Sequence, residues 1–457
     1  MKTATLLLLA AFATTACSRT AMAQAVAEPP VAADQQFEIP ATDDGLPGDG
    51  PIRRYDWFKN LWQERRAAFA KEVATRQNTV VFFGDSITQG WGDIDKAFDG
   101  IKSANRGISG DTTRGMLIRM EEDVLSLNPS AVIMLMGTND IEEQGTPDQI
   151  SANTKLIVAA IKKHNAEVPI VLCSVFPSSA EKARPNETIR ELNKLNEKAF
   201  AGDAQVTILD TWKLFANKQG DAKKEEFPDL LHPNELGYAK WAKALQPLLE
   251  THGLVPVAKD EWKPEEGFEA LFNGKDLTGW QVRKTTDAEK RGAARWQKND
   301  PNAPPWPIVT EAKTYDGKTA TDDGRFVAKN GRIVVTIPPE GRKVQQLFTT
   351  SSYPDDFVLK LEFRASPNAD SGVFIRGKQL QCRDFVTAGP YKKLKKYRPQ
   401  DWNELEIVVK GRAARCTCNG EVLEAEFAIP ANGPIGLEAD RGQMEYRRIQ
   451  VAWAPGP

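Results

Sequence analysis

Short continuous apolar runs alternate with amphipathic stretches of helical period from Arg53 to about Gly253. The apolar runs are TVVFF, AVIMLM, PIVLCSVF and VTILD, with a weaker run near Ile101. Strands that are apolar on both faces and separated by helices are typical of a parallel sheet covered on both sides. Residues 53–254 are therefore predicted to form a three-layer α/β/α domain.

The pattern changes after a linker that we place at residues 255–266. Residues 267–457 contain short segments of alternating apolar and polar residues, such as RFVAKNGRIVVTI and NELEIVVKG, which turn sequences separate. This alternation predicts an all-β domain, a sandwich or jelly roll of antiparallel strands. The stretch from about Arg283 to Asp323 is dense in Pro and Lys, and we expect a long inserted loop there.

The N-terminus has the features of an export signal. Lys2 precedes a short apolar run, and Ala21-Met22-Ala23 has the small-x-small form of a signal-peptidase site. The run is too short to span a bilayer, so residues 1–23 are predicted to be a cleaved signal peptide. An alternative is a lipid anchor at Cys17, because the preceding residues resemble a lipoprotein box without its usual leucine. Either route predicts an exported protein, periplasmic or secreted.

Residues 24–52 are rich in Pro, Ala, Gly and acids, which predicts a flexible leader. The formal net charge of -2 offers no basic field for nucleic acid. Export would permit a disulfide among Cys382, Cys416 and Cys418, and the sequence does not choose the pairing.

Small polar residues follow three of the predicted strands. Gly84-Asp85-Ser86 follows VVFF, a stretch ending in Ser109-Gly110-Asp111 follows the weaker run, and Gly137-Thr138-Asn139-Asp140 follows AVIMLM. Because ligands bind beyond the carboxyl ends of parallel strands, these segments are expected to meet at one edge of the sheet.

A nucleophilic serine needs a base, and the chain has three histidines. His164 and His252 end helical patterns, where a positive charge suits the helix dipole. His232 lies in a predicted loop, because a proline follows it, and Asp229 stands three residues earlier. The pair is either the orienting pair that a serine base requires or a structural contact that caps the next helix.

Four blocks occur in order between Thr79 and Leu249, namely GDSITQG, NRGISGDT, GTND and DLLHP. Together they resemble the SGNH, or GDSL-type, esterases and lipases, in the branch of platelet-activating-factor acetylhydrolase subunits and carbohydrate deacetylases. The resemblance implies a flavodoxin-like α/β/α fold, ester hydrolysis and no cofactor. An α/β-hydrolase is disfavoured, because Thr88 stands where its G-x-S-x-G elbow has the second glycine.

The resemblance also assigns roles. Ser86 is the nucleophile, His232 is its base and Asp229 orients the imidazole. The backbone N–H groups of Ser86 and Gly110 and the side-chain amide of Asn139 are the oxyanion donors. Fixed donors of this kind stabilise the negative oxygen of a tetrahedral intermediate.

The stretch GFEALFNGKDLTGW begins a second resemblance, which runs from about Gly267 to Ala452 and includes NADSGVFIRG, DWNELEIVVKG, CNGEVL and GPIGLEA. These segments resemble the 3-keto-disaccharide hydrolase domain family. The resemblance implies a concanavalin-like β-sandwich that processes or binds sugars. The glutamate that the family usually carries in a G-Y-E-x-Q-like strand is missing, since GKQLQCRD stands there, and the domain has no histidine.

Carboxylates and tryptophans are the remaining candidates in this half of the chain. A glycosidase uses two carboxylates, and the candidates are Asp370, Asp384, Asp401 and Glu404. Tryptophans stack on sugar rings or fill a core, and those in question are Trp280, Trp296, Trp306 and Trp402. A sugar site is accordingly predicted at Asp370, Arg376, Asp384 and Trp402.

Together these features predict an exported serine esterase. Its expected substrate is an acylated carbohydrate, with acetyl as the expected acyl group, or another small ester. In one alternative, the C-terminal domain carries the principal activity, as a hydrolase or lyase of 3-keto sugars, and the first domain is auxiliary. In the other, the protein binds glycans without catalysis.

Overall fold

The computed structural model describes residues 37–200, 203, 205–299, 301, 305–336, 345–384 and 393–453. The predicted signal peptide and the alternative anchor at Cys17 lie outside these residues. No helix in the described part of the chain has both the length and the apolar composition needed to cross a bilayer.

A parallel sheet forms the centre of the first domain. Its strands are β1 (Val80–Gly84), β2 (Ser103–Gly107), β3 (Ala131–Leu135), β4 (Ile170–Cys173) and β5 (Val206–Leu209). The accompanying α-helices are α1 (Asp56–Glu72), α2 (Ser86–Gly90), α3 (Thr113–Asp123), α4 (Thr138–Glu142), α5 (Pro147–His164), α6 (Asn186–Phe200), α7 (Thr211–Phe215) and α8 (Glu235–Thr251). The order of the five strands is β2-β1-β3-β4-β5.

Hydrophobic clusters cover both faces of this sheet. Successive side chains of β1 alternate between them, so that Phe82 packs in one cluster and Phe83 in the other. All residues of β1, β3 and β4 are consequently buried. The predicted three-layer α/β fold is confirmed.

Strand β2 lies at one edge of the sheet and carries polar side chains, which is why the apolar pattern gave only a weak run near Ile101. Asn105 donates from Nδ2 to the carbonyl oxygen of Thr88 at 2.8 Å. Arg106 is buried and donates to the carboxylate of Glu72 at 2.8 Å. These hydrogen bonds let a strand with polar side chains pack into the domain, where Ala104 contributes to a hydrophobic cluster.

The second domain is an antiparallel sandwich, and it also carries helix α9 (Asp287–Asn299). Its strands are β6 (Glu269–Ala270), β7 (Trp280–Val282), β8 (Lys313–Thr314), β9 (Phe326–Lys329), β10 (Arg332–Val335), β11 (Gln346–Thr349), β12 (Phe357–Ala365), β13 (Asp370–Ile375), β14 (Lys378–Arg383), β15 (Asn403–Lys410), β16 (Ala413–Cys418), β17 (Glu421–Ala428), β18 (Gly436–Glu438) and β19 (Met444–Trp453). One sheet has the order β17-β16-β15-β12-β19-β10-β9, with β6 also paired to β19, and the other has the order β14-β13-β18-β11-β7-β8. Both sheets contribute to one hydrophobic core, as Leu359 of β12 and Val373 of β13 illustrate. The predicted β-sandwich is confirmed.

Residues 37–52 differ from the predicted flexible leader. Asp43 forms an ion pair with Arg114 of α3. Asn153 of α5 donates from Nδ2 to the carbonyl oxygen of Asp49 at 2.7 Å. The described part of the leader is therefore bound to the α/β domain, and composition did not reveal this because the partners lie far away in sequence.

The predicted inserted loop between Arg283 and Asp323 also contains regular structure, namely α9 and the short strand β8. No residue of α9 is buried, and its few apolar residues include the half-buried Ala293 and Trp296, so the pattern of apolar runs did not reveal the helix. An ion pair between Arg283 and Glu289 connects the end of β7 to this helix.

The described cysteines are buried free thiols, and the structure shows no disulfide among Cys382, Cys416 and Cys418. The fourth, Cys173, lies in β4. Burial raises the pKa of Cys173 to about 12, as expected for an unreactive thiol in a core.

Helix α8 connects the two domains through buried charges. Glu250, near its end, pairs with Arg332 at 3.1 Å and with Arg364 at 2.5 Å. Both guanidinium groups also pair with Glu445, at 3.0 Å and 2.6 Å. Each of the four side chains faces opposite charges, which offsets the cost of removing them from water.

Candidate active site

The sequence Gly-Asp-Ser turns the chain from a buried strand directly into a helix. Ser86 is the first residue of α2, beyond the carboxyl end of β1. Asp85 caps the helix, because its Oδ1 accepts the N–H of Ile87 at 2.9 Å. Gly84 permits the close packing, since a Cβ there would lie 2.2 Å from Oγ1 of Thr88. The serine is thereby held at the edge of the sheet.

His232 and Asp229 converge on Ser86. Nε2 of His232 lies 2.9 Å from Oγ of Ser86, and Nδ1 lies 2.8 Å from Oδ2 of Asp229. The other carboxylate oxygen accepts the backbone N–H groups of Leu231 and His232 at 3.0 Å and 2.8 Å. Helix α8 is capped instead by Asn234. Of the two interpretations of the His–Asp pair, the geometry is that of an orienting pair.

The environment of Asp229 keeps its carboxylate ionised. Partial burial raises its pKa, but the hydrogen bonds from the backbone and ring of His232 and from the backbone of Leu231 outweigh burial and lower the pKa to about 2. A charged acceptor therefore faces Nδ1 of the imidazole throughout the neutral range.

The other predicted residues follow strands on both sides of β1. Gly84 pairs with Gly107 of β2 and with Leu135 of β3, so the three strands end at one level. Gly110 follows β2, and its φ of +87° is one that favours glycine. Asn139 follows β3 in the first turn of α4. The structure thus brings Ser86, Gly110 and Asn139 to one edge of the sheet, as the strand ends predicted.

Hydrogen bonds fix the loop that carries Gly110. Oε1 of Gln89, in α2, accepts the backbone N–H of Ser109 at 2.7 Å and its hydroxyl at 3.0 Å. On the other side, the carboxylate of Asp140 accepts the backbone N–H of Thr113 at 3.0 Å. The loop is therefore tied to both neighbouring segments of the site.

Arg184 is a residue of the site that the sequence did not reveal. It is buried, and its guanidinium donates to Oδ1 of Asn139 at 3.2 Å and to the carboxylate of Glu142 at 2.8 Å. Nδ2 of Asn139 donates in turn to the carbonyl oxygen of Asp111 at 3.0 Å. Together these bonds fix which end of the amide is the donor. Arg184 lies outside the four blocks, and no local pattern marks it.

A buried ion pair lies beneath the site. Arg119 donates to Asp111 at 2.7 Å and to the carbonyl oxygen of Gly84 at 3.1 Å, and both charged side chains are fully buried. Burial raises the pKa of Asp111 to about 7, against the lowering effect of Arg119. Burial likewise raises the pKa values of Asp85 and Asp140 to about 6. These aspartates support the loops of the site from inside the protein.

An exposed aromatic pair lies beside Gly110. A Cβ at that position would lie 2.6 Å from the Cη2 atom of Trp57. The indole stacks on Tyr55 with 6.4 Å between ring centroids, and both side chains are 53% exposed. An aromatic surface therefore borders the loop that holds one of the predicted oxyanion donors.

The other two histidines lie at helix ends, as predicted. His164 is the last residue of α5, and His252 is the C-cap of α8. Burial, followed by the charge of Lys329, lowers the pKa of His252 to about 4.

The structure does not gather the four candidates for a sugar site in the sandwich into one cluster. Asp370 begins β13 and pairs with Arg383 at 2.7 Å, and Asp384 accepts the backbone N–H of Asn368 at 3.0 Å. Arg376 lies beyond the opposite end of the same strand. Trp402 precedes β15, in the other sheet.

Arg376 and Trp402 also have structural contacts. The guanidinium of Arg376 is buried and donates to the carbonyl oxygens of Tyr353 and Asp355 at 2.6 Å and 2.7 Å. The ring of Trp402 is covered by a different arginine, because the guanidinium group of Arg447 lies 3.9 Å from the ring centroid. These two side chains hold segments of the sandwich together.

The residues that the structure describes contain no group of three or more His, Cys, Asp or Glu side chains arranged to hold a metal ion.

Two family models match parts of this chain. Residues 82–240 match the GDSL-like Lipase/Acylhydrolase family, and residues 267–452 match the 3-keto-alpha-glucoside-1,2-lyase-like domain. Platelet-activating factor acetylhydrolase IB subunit alpha1 of Rattus norvegicus is 28% identical over 192 residues, which cover 41% of this chain and 82% of that protein. Subunit alpha2 of Homo sapiens is 28% identical over 193 residues, with coverages of 41% and 83%.

A solved structure of a GDSL-like lipase from Bacteroides thetaiotaomicron is also similar. It is 24% identical, covers 41% of this chain and 97% of its own, and has a TM-score of 0.36. By the two family matches, the chain joins a GDSL-like lipase/acylhydrolase domain at residues 82–240 to a 3-keto-alpha-glucoside-1,2-lyase-like domain at residues 267–452, and it is a hydrolase that acts on ester bonds.

Proposed function

We propose that this protein is an exported serine esterase that removes an acetyl group from a carbohydrate, with the C-terminal domain as the part that binds or processes the sugar. The observation that carries the proposal is the continuous set of contacts from Ser86 through His232 to Asp229, at 2.9 Å and 2.8 Å. A nucleophile, a base and an orienting carboxylate in this order suit acyl transfer.

In the first half of the reaction, Oγ of Ser86 attacks the ester carbonyl while Nε2 of His232 takes its proton. Asp229 holds Nδ1–H and stabilises the imidazolium that forms. The carbonyl oxygen becomes negative and accepts hydrogen bonds from the N–H groups of Ser86 and Gly110 and from the amide of Asn139. The intermediate then breaks its bond to the sugar oxygen, which leaves with the proton from His232.

In the second half, water attacks the acyl group on Ser86 and His232 takes a proton from that water. The second tetrahedral intermediate uses the same donors. Its collapse breaks the bond to Oγ, which regains the proton, and releases acetic acid. The triad and its donors complete both steps without a cofactor.

Two observations support an acetylated carbohydrate as the substrate. The relatives named above are acetylhydrolases, which favours a short acyl group. The exposed rings of Tyr55 and Trp57 lie beside Gly110, and aromatic faces suit the apolar C–H faces of sugar rings. A sugar on this surface would place an ester oxygen near the donors.

The chemistry is tested with p-nitrophenyl acetate and a serine-reactive fluorophosphonate. We expect the wild-type protein to release p-nitrophenol and to carry the phosphonate adduct on Ser86, located by peptide mass spectrometry. Substitution His232→Ala should prevent both, because the serine loses its base. Labelling of a different residue would show that the nucleophile has been assigned wrongly.

The substrate class is tested separately by acetate release from acetylated oligosaccharides. We expect a higher kcat/KM for these than for ethyl acetate, whose leaving group is also an unactivated alcohol, since the sugar adds contacts. A higher kcat/KM for ethyl esters of long-chain acids than for any acetylated sugar would contradict a carbohydrate deacetylase.

Export is part of the proposal and rests on Lys2, the short apolar run and Ala21-Met22-Ala23. Intact-mass measurement of the protein purified from its native cells should give a chain that begins at Gln24. A diacylglyceryl-modified Cys17 at the start would indicate the lipoprotein route instead, and a retained N-terminus would contradict export.

A further inference from the structure

A cleft of about 500 Å³ lies between the two domains, and its lining includes Trp91 at the end of the helix that Ser86 begins. Trp91, Tyr238 and Lys243 line it from the α/β domain. Arg364, Gln400 and Asp401 line it from the sandwich. Its size is within the range of 300–1,000 Å³ that is typical of small-molecule sites, which often lie between domains.

Contacts between the domains hold the two walls of the interdomain cleft in place. Glu250 pairs with Arg364, which is itself a wall residue, at 2.5 Å. Gln443 of the sandwich donates to the carbonyl oxygen of Pro247 in α8 at 3.2 Å. An ion pair at 3.4 Å joins Lys243 to the carboxylate of Asp401, across the domain boundary. The two walls of the cleft are therefore held in fixed positions relative to each other.

The walls combine apolar rings with groups that form hydrogen bonds. Trp91 and Tyr238 are partly buried and pack with 5.4 Å between ring centroids. The charged wall residues have partners of opposite charge, Lys243 with Asp401 and Arg364 with glutamates. A charged ligand would have to break one of these pairs, so the lining favours a neutral ligand with polar groups.

Gln400 is a buried wall residue whose side-chain amide nitrogen lacks a hydrogen-bond partner in the described part of the chain. It is 4% exposed and adopts a φ of +53°, in the left-handed region. Its Nε2 has no hydrogen-bond partner among the residues that the structure describes. A buried amide without a partner costs free energy. Rotation of the side chain toward an acceptor in the cleft would remove this cost.

We propose that the interdomain cleft binds a neutral saccharide, with sugar C–H faces on Trp91 and Tyr238 and a sugar hydroxyl accepting from Gln400. The inference rests on the proposed function, because the saccharide would be the non-reacting part of the ester substrate. The hydroxyl of Tyr238 donates to the carbonyl oxygen of Ile87, the residue after Ser86, at 2.8 Å. Trp91 follows Ser86 by five positions, roughly 8 Å along the helix axis.

The test is isothermal titration calorimetry of the full-length protein with unacylated xylohexaose, cellohexaose and chitohexaose, and with hexagalacturonate as a charged counterpart. We expect at least one neutral hexasaccharide to bind more tightly than hexagalacturonate. Gln400→Met keeps the side-chain length and removes the donor, so affinity should fall about 3- to 10-fold. Ala239→Trp places a large ring in the cleft from an exposed position and should abolish binding.

The matched control is Ala159→Trp, which places the same ring on an exposed position of α5 and should leave affinity unchanged. Thermal melts would verify that each variant is folded. The inference is overturned if no neutral hexasaccharide binds, if only hexagalacturonate binds, or if Ala239→Trp binds as the wild type does. These outcomes are distinct from failure of the proposed function, which the reaction with p-nitrophenyl acetate and the label on Ser86 decide.

Discussion

Nε2 of His232 lies 2.9 Å from Oγ of Ser86, although 146 positions separate the two residues in the chain. The serine is placed by the end of β1, and the histidine by a loop that Asp229 holds through two backbone hydrogen bonds. Each partner is thus positioned by its own local structure, and the sheet brings the two together. Their interaction is what the first prediction tests.

Ser86→Ala and His232→Ala should each lower kcat for p-nitrophenyl acetate by several orders of magnitude. The double variant should be scarcely worse than either one, because nucleophile and base act as a unit. His164→Ala replaces an exposed histidine at the end of α5 and should leave turnover almost unchanged. Near-normal turnover of folded Ser86→Ala protein, or a loss in His164→Ala equal to that in His232→Ala, would contradict the assignment.

Asp229→Asn should lower kcat by less than Ser86→Ala does. The asparagine leaves nucleophile and base in place but presents no negative charge to Nδ1 of His232, so the imidazolium is less stable and the ring is poorly oriented. Single-turnover kinetics with p-nitrophenyl acetate measures the acylation step directly. A rate for Asp229→Asn equal to that of the wild type would show that the contact is structural only.

The sequence predicted those parts of the site that depend on local pattern. Runs that are apolar on both faces identified β1 and β3, and the residues after them contain Ser86 and Asn139. The edge strand β2 was only weakly predicted, since Asn105 and Arg106 bring polar side chains into the strand and bond to distant residues.

The parts that the sequence did not predict depend on long-range partners. Arg184 reaches Asn139 from a segment 45 positions away, and nothing next to it in the chain indicates this contact. Asp49 bonds to Asn153, which lies 104 positions away in the chain. This contact binds the leader segment to the α/β domain, although the composition of the leader is typical of a flexible segment. The cleft wall at Gln400 likewise exists only when both domains are in place.

Arg184→Met should lower kcat about 10-fold while KM changes little, because the amide of Asn139 loses the bond that fixes its orientation. Asn139→Ala removes the donor itself and should cost roughly 10²–10³ in kcat. If Arg184 acts through Asn139, the double variant should be no slower than Asn139→Ala alone.

The control for Arg184 is Arg190→Met, which replaces an exposed arginine of α6 and should leave kcat unchanged. Full additivity in the double variant would mean that Arg184 acts independently of Asn139. A change in KM alone would place the effect in substrate binding.

Glu250→Gln should lower the free energy of unfolding by about 2–4 kcal/mol, since it leaves Arg332 and Arg364 buried with one carboxylate in place of two. Chemical denaturation at neutral pH measures the change. Glu235→Gln, at an exposed position at the start of the same helix, is the matched control and should have a much smaller effect. Equal effects of the two substitutions would show that the interdomain charges do not contribute to stability.

The stability of the protein should depend on the protonation of His252, at the end of α8. Burial and the charge of Lys329 lower the pKa of His252 from 6.5 to about 4 in the folded protein. Between these two pH values the unfolded chain binds a proton that the folded chain does not. The contribution of His252 to the free energy of unfolding therefore falls as the pH falls from about 6.5 to about 4, by on the order of 3 kcal/mol.

Denaturation curves of the wild type and of His252→Gln at several pH values from 4 to 7.5 test this prediction. The buried carboxylates of Asp85 and Asp140, whose raised pKa values act in the opposite direction, contribute equally to both proteins and cancel in the difference. The stability of the wild type relative to His252→Gln should decrease toward pH 4, and Lys329→Met should make this decrease smaller by removing the neighbouring charge. Parallel curves for the wild type and His252→Gln would mean that the imidazole is protonated equally well in the folded and unfolded chains.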